Sequence, residues 1–179
     1  PQQEADMDIK ATLNNLLIPY TSNYAGTLLP GIREYTVTPG EKTTTISGKG
    51  KAGLKQEENY YFFYLPVCYK GITGKSYAYY NTSRSKNLYL PASVDENYSY
   101  DIQLPENLTL CTPIQEKKID NPIGSFKITL TSEGSSLHIE LALQIKKQLI
   151  TPAEYPAFRS LITEWTDRTR KPILFKTVQ

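Results

Sequence analysis

The stretch from Ser136 to Lys176 limits the fold more than any other part of the chain. Leu137, Ile139, Leu141, Leu143 and Ile145 share one parity, while Ser136, His138, Glu140, Gln144 and Lys146 take the other. Strict alternation over that length predicts a strand with one buried and one wet face. A helix over residues 152–165 follows. Thr151 stands at the N-cap, Pro152 at the first helical position, and Glu154 three residues past the cap, the spacing of a capping box. Tyr155, Phe158, Leu161, Ile162 and Trp165 form one broad apolar stripe, which a helix of this length normally docks onto a core. Pro172 then opens a last short strand, Ile173–Lys176.

The middle of the chain repeats the strand signal at shorter length. Tyr98, Tyr100, Ile102 and Leu104 alternate with polar neighbours until Pro105. Phe126, Ile128 and Leu130 do the same, and Glu133–Gly134 turns that run into the long strand as a hairpin. Asn59 to Leu65 is apolar on both faces, which predicts a central strand covered on both sides. Short strands are expected at Ser76–Tyr80, Arg84–Leu90 and Leu108–Cys111, and a weak, Thr- and Gly-rich strand pair, or a strand and turn, over Thr43–Lys55. About six to eight strands with Pro and Gly between them describe a mainly β chain. The expected fold is an antiparallel two-sheet β-sandwich of the Greek-key or immunoglobulin-like kind, clasped by one C-terminal amphipathic helix. Residues 1–40 are expected to be an extended, partly ordered lead-in, and 41–179 the sandwich. Ile9, Leu13, Leu16 and Leu17 suit a helix face, whereas Ile9, Ala11 and Leu13 suit a strand.

With 20 basic and 18 acidic residues the net charge is +2, which leaves no electrostatic footprint for nucleic acid or an anionic membrane. Arg168, Arg170 and Lys171 fall in an expected solvated turn. No apolar run is long enough to span a bilayer, and no signal peptide is present in this chain, which starts Pro-Gln-Gln-Glu.

Cys68, Cys111 and His138 are the only candidates for thiol–imidazole chemistry. Neither cysteine precedes a predicted helix that would lower its pKa, and His138 projects from a polar strand face, so no catalytic residue is assigned and the chain is expected not to be an enzyme. The two cysteines are either a single bridge or two small apolar side chains. One histidine and no Cys-x-x-Cys leave no zinc set, so neither metal nor cofactor is expected. Asp95–Glu96 and Asp120–Asn121 offer oxygen ligands, but acidic loop residues are more often turn formers. Tyrosine is the unusual component, with 14 residues against five Phe and one Trp. Tyr69, Tyr77, Tyr79, Tyr80 and Tyr89 are candidates for an aromatic surface that binds glycan or protein; the competing reading places their rings in the sheet faces.

Five segments in order carry a family resemblance. They are Tyr60–Leu65 with Pro66, Ser83–Pro91 (Ser-Arg-Ser-Lys-Asn-Leu-Tyr-Leu-Pro), Tyr98–Leu104 with Pro105-Glu106-Asn107, Ile150–Tyr155 (Ile-Thr-Pro-Ala-Glu-Tyr) and Ile173–Lys176. Together they resemble the β-sandwich domain of unknown function that follows a transglutaminase-like domain in exported Bacteroidetes proteins. The likeness covers roughly residues 41–179 and rests on the order and spacing of the segments. It implies a non-catalytic accessory role beside a transglutaminase-like peptidase or amidase domain, in an extracytoplasmic (periplasmic or cell-surface) setting. The family's Cys-His-Asp set belongs to that other domain and has no counterpart here. Arg84, Pro91, Pro105 and Tyr155 match as structural residues.

Overall fold

The computed structural model describes residues 3–14, 31–68 and 83–178. Three sheets, all antiparallel, and one helix account for the regular structure among them. The large sheet contains β1 (Glu4–Asn14), β2 (Ile32–Pro39), β3 (Thr43–Gly53), β7 (Val94–Gln103), β9 (Gln115–Asn121), β10 (Gly124–Glu133) and β11 (Ser136–Ile145). Its order is β2-β3-β1-β7-β11-β10-β9. The second sheet has four strands, β4 (Lys55–Glu57), β5 (Tyr60–Phe63), β13 (Ile173–Thr177) and β8 (Leu108–Leu110), in that order. β6 (Leu88–Tyr89) and β12 (Leu149–Ile150) form a separate pair.

The alternation of β11 is realised as expected: Leu137, Ile139, Leu141, Leu143 and Ile145 are all buried. β10 pairs with it from Gly124↔Ile145 to Glu133↔Ser136, which closes the predicted hairpin. Gly134 sits in the two-residue turn with φ +57°, a conformation that costs glycine little. On the same face β7 contributes Tyr98, Tyr100 and Ile102, and β10 contributes Phe126, Ile128 and Leu130. The helix α1 (Tyr155–Arg170) lies against β10 and β11, and its five stripe residues are buried. The inner residues of the small sheet, Tyr61, Phe63, Ile173 and Phe175, belong to the same continuous core. Two layers thus close on one face of the large sheet, leaving its other face to solvent.

Several expectations are corrected. The boundary near residue 40 does not divide the sheet. β1 pairs with β3 along its whole length and with β7 from Asp6 to Leu13, and Ala5, Met7, Ile9, Ala11 and Leu13 alternate into the core. Its short period-2 signal was ambiguous beside the leucines that follow, and long-range pairing resolves it. Of the two readings of Thr43–Lys55, the structure has the single strand, β3 over eleven residues, with β4 starting at Lys55. β3 tolerates glycine because β1 and β2 both bond to it, and because β2 approaches closely. A Cβ at Gly50 would stand 2.2 Å from the Gly31 carbonyl oxygen. The strand expected at Arg84–Leu90 shrinks to Leu88–Tyr89, and Ser76–Tyr80 lies outside the described residues.

The helix begins and ends later than expected. The chain makes a turn at 152–154, Glu154 holds the N-cap position, and helical residues start at Tyr155 with Pro156 in the first turn. Half of the capping box forms: the Thr151 N–H donates to the Glu154 carboxylate at 3.0 Å. The Thr151 hydroxyl donates to the same oxygen instead of capping a backbone N–H. At the other end Arg168 lies in the last turn and Lys171 pairs with Asp167 at 3.1 Å, so residues expected in a turn extend the helix. Cations there are favoured by the helix dipole. Among the described residues, no helix is long and apolar enough to cross a membrane.

Trp165 is fully buried, 6.0 Å from the Tyr98 ring between centroids. Trp165→Ala is expected to lower stability by about 3–5 kcal/mol, read from urea unfolding. The Glu154 carboxyl is held down at about 2 by Lys147 first and by the Thr151 donors next, against an ordinary value of 4.5. A carboxyl depressed on folding contributes stability above its unfolded value, and that stability is lost as pH falls through the folded value. Glu154→Gln should therefore be less stable than the parent at pH 7. The difference should narrow between pH 4.5 and pH 2. Thermal unfolding across that window checks both.

Candidate functional site

The solvent face of the large sheet carries most of the polar side chains that alternate with the core. Register places them in rows across the strands. One row runs Glu34, Lys49, Asp8, Asp101, His138, Thr131, on β2, β3, β1, β7, β11 and β10. The next runs Thr36, Ser47, Lys10, Ser99, Glu140, Thr129. In the first row Lys49 stands between Glu34 and Asp8, and His138 stands beside Asp101, the arrangement that stabilises cross-strand pairs. Where Asp8 and Asp101 are neighbours, a groove of about 640 Å³ opens, lined also by Asp6, Gln103, Ser136 and His138. Lys51 bonds Asp6 at its edge.

His138 is the chemically versatile group in this groove. Its Nδ1 lies 2.7 Å from Asp101 Oδ1, and its Nε2 lies 3.7 Å from Glu140 Oε1. The imidazole is thus bracketed by two carboxylates. A nucleophile–base–acid relay needs a thiol or hydroxyl on the second nitrogen. Cys68 is buried on the opposite side of the sheet, where its N–H meets the Tyr98 hydroxyl at 2.9 Å. Cys111 lies beyond that core, its N–H bonded to the Leu174 carbonyl at 2.8 Å. Neither cysteine is part of a disulfide. Among the described residues no three His, Cys, Asp or Glu side chains converge as metal ligands.

The acidic pairs considered as cation ligands have structural roles. Asp95 and Glu96 are not in a loop; β7 begins at Val94, so Glu96 shares the inward parity of Tyr98 and is fully buried. Asn121 is a turn former, its side-chain oxygen accepting from the N–H groups of Ile123 (2.9 Å) and Gly124 (3.3 Å). The Tyr98 hydroxyl donates to Glu96 at 2.9 Å, and the Tyr100 hydroxyl donates to the Pro66 carbonyl at 2.7 Å. Burial, and then the nearby Glu96 charge, push both phenols well above their ordinary value. Both therefore stay protonated donors. They tie the segment after β5 onto β7.

Of the aromatic candidates, Tyr89 is strongly exposed, at 71%. Tyr69, Tyr77, Tyr79 and Tyr80 lie outside the described residues. Sequence reasoning did not single out another aromatic group. Tyr60 and Tyr64 are 43% and 48% exposed, because the strand expected to be covered on both faces is covered on only one. The two structural matches Arg84 and Tyr155 meet, with the guanidinium carbon 5.9 Å from the ring centroid.

The model of a family described as a domain of unknown function with solved structure, DUF3858, matches residues 59–175. The chain belongs to this family. The DUF3858 match begins just before β5, so β1, β2, β3 and β4 lie outside it, although β1 and β3 are interior strands of the large sheet. A solved protein of Parabacteroides distasonis, described as a putative protease, is similar at 32% identity with a TM-score of 0.58. The likeness covers 67% of this chain and 24% of that one, so the chain corresponds to about a quarter of that protein's length. No curated protein matches the chain.

Tyr98→Phe removes the hydroxyl that donates to Glu96 and accepts from the Cys68 N–H. It is expected to cost about 1–3 kcal/mol in urea unfolding. Tyr100→Phe, which leaves only a carbonyl unpartnered, should cost less than Tyr98→Phe in the same measurement.

Proposed function

We propose that this DUF3858 domain is a non-catalytic accessory module that positions an adjacent transglutaminase-like peptidase or amidase domain, outside the cytoplasm. The observation that carries this reading is the partial likeness to the Parabacteroides protein: 67% of this chain against 24% of that one. Most of that longer polypeptide therefore lies outside the shared module, with room for a separate hydrolytic domain. The placement of side chains supports the same reading. Cys68 and His138 are separated by the thickness of the large sheet, and the His138–Asp101 pair sits in an open groove. Hydrolytic acyl transfer needs its nucleophile and base within hydrogen-bond reach. The acidic, partly self-paired groove and the buried phenol network are both accounted for by folding.

The test uses the full polypeptide that the gene encodes, which the proposal expects to be longer than this chain. Its hydrolysis of a casein or amide substrate is expected to need a Cys-His-Asp set outside these 179 residues. Activity should fall by about tenfold or more when this module is removed, the size of effect that lost positioning produces. The 179-residue chain alone should show no turnover above buffer. Turnover by that chain, abolished by Cys68→Ala or His138→Ala, would sink the proposal. So would a gene that encodes no hydrolase-like domain.

A further inference from the structure

The outer face of the four-stranded sheet is unlike the outer face of the large one. β5 points Tyr61 and Phe63 into the core and Tyr60 and Phe62 outward, and Tyr64, just past its end, is exposed as well. β13 repeats the pattern, with Ile173 and Phe175 buried and Leu174 outward, opposite Phe62. A strand that is apolar on both faces is normally covered on both. Here the outward residues remain half open: Tyr60 is 43% and Tyr64 48% exposed, and Phe62 and Leu174 are partly buried. Charged residues border them. Lys55 and Glu57 of β4 stand opposite Phe62 and Tyr60, and Lys176 of β13 stands opposite Tyr60 on the other side. Lys55 lies 5.7 Å from the Tyr64 ring centroid. An apolar centre within a charged rim is the anatomy of a protein-docking face.

The first and last described residues lie at borders of this sheet. The Gln3 carbonyl accepts from the Leu54 N–H at 3.1 Å, one residue before β4 begins. At the other end, Thr177 N–H donates to the Asn59 carbonyl at 3.2 Å and Val178 N–H to the Asn107 carbonyl at 2.8 Å, beside Tyr60. Chain running on from either side starts at a border of this same sheet. A cleft of about 570 Å³ continues the face toward β3, lined by Lys51, Lys55, Phe62, Tyr64, Leu65 and Val67. In the Parabacteroides protein the shared region is 24% of the polypeptide, which leaves ample chain to form a neighbour.

We propose that the Tyr60–Phe62–Tyr64–Leu174 face is the docking surface for a second folded domain of the same polypeptide, one that presents an apolar patch with acidic groups opposite Lys55 and Lys176. The proposal rests on the accessory-module reading above and adds the surface through which the module acts. A tethered neighbour needs little intrinsic affinity, because the link supplies a high effective concentration. A modest face of three aromatic rings and a leucine therefore suffices.

Hydroxyl-radical footprinting of the longer polypeptide and of the 179-residue chain tests this. Tyr60 and Tyr64 should be labelled in the isolated chain and at least about threefold less in the longer one, with Tyr89 labelled equally in both. A Tyr60→Ser/Tyr64→Ser variant should leave the melting temperature of the isolated chain within about 1 °C and lower that of the longer polypeptide by about 3 °C or more. Equal labelling of Tyr60 and Tyr64 in both forms overturns the docking proposal even if the longer protein's hydrolysis depends on the module. Shielding of both tyrosines by a neighbour without hydrolytic activity keeps the docking face and overturns the accessory role to a hydrolase. A sedimenting dimer of the isolated chain that Tyr64→Ser dissolves assigns the face to a second copy and overturns the proposal.

Discussion

One face of a seven-stranded antiparallel sheet has to be kept from water, and the rest of the molecule is arranged around that need. β1, β7, β10 and β11 each present a row of apolar side chains to the same side. Each fully buried Leu, Ile or Phe side chain contributes about 1.5–3 kcal/mol relative to an exposed one. No single cover spans so wide a face. The helix takes the β10–β11 side, and the small sheet joins the same core from β5 and β13. The Tyr98 and Tyr100 hydroxyls fasten the segment after β5 to β7 at the centre. A helix stripe with Trp165 at its heart and a strand with Tyr98 at its heart meet there.

That arrangement sorts the chemistry of the chain by side. Thiols, phenols and the buried Glu96 belong to the covered face or the layer beyond it, while His138, Asp101 and Asp8 belong to the wet one. A sheet is a barrier to side-chain contact between its two faces. Groups that a sequence search pairs by type can therefore be kept apart by parity alone. On the wet face, cross-strand register turns a mixture of Lys, Asp and Glu into partly neutralised rows, and the groove there remains open to solvent.

The small sheet is where the fold leaves apolar surface uncovered. Its inner side is part of the core, and its outer side carries tyrosine, phenylalanine and leucine next to the places where the chain comes in and goes out. The membership in DUF3858 covers this sheet from β5 onward, while the large sheet draws interior strands from before the matched region. The core thus combines strands from inside and outside the matched region, whereas the outward aromatic residues of the small sheet all lie within it.

The hairpin of β10 and β11, the inward parity of β7, the helix stripe and the final strand were all legible in the residues, because alternation and 3.6-residue spacing are local and strong in those segments. The single helix near the C-terminus and the antiparallel sheets follow from the same signals. Residues 4–14 and 43–53 were not legible as long strands of one sheet, since Asp6, Ala11, Ser47 and Gly48 carry little strand preference and gain their conformation from partners far away in the chain. Glu96 looked like a loop carboxylate until the strand start at Val94 turned it inward, and Tyr60 and Tyr64 looked like core until the layers left them at the rim. Sequence by itself determined that β7, β10, β11 and β13 pleat, that 155–165 coils, and which side chains of β10, β11 and that coil must hide. Tertiary structure alone decided which strands are neighbours, on which side of the sheet a thiol and an imidazole fall, and which apolar face stays open, because those outcomes depend on pairing between segments that share no local signal.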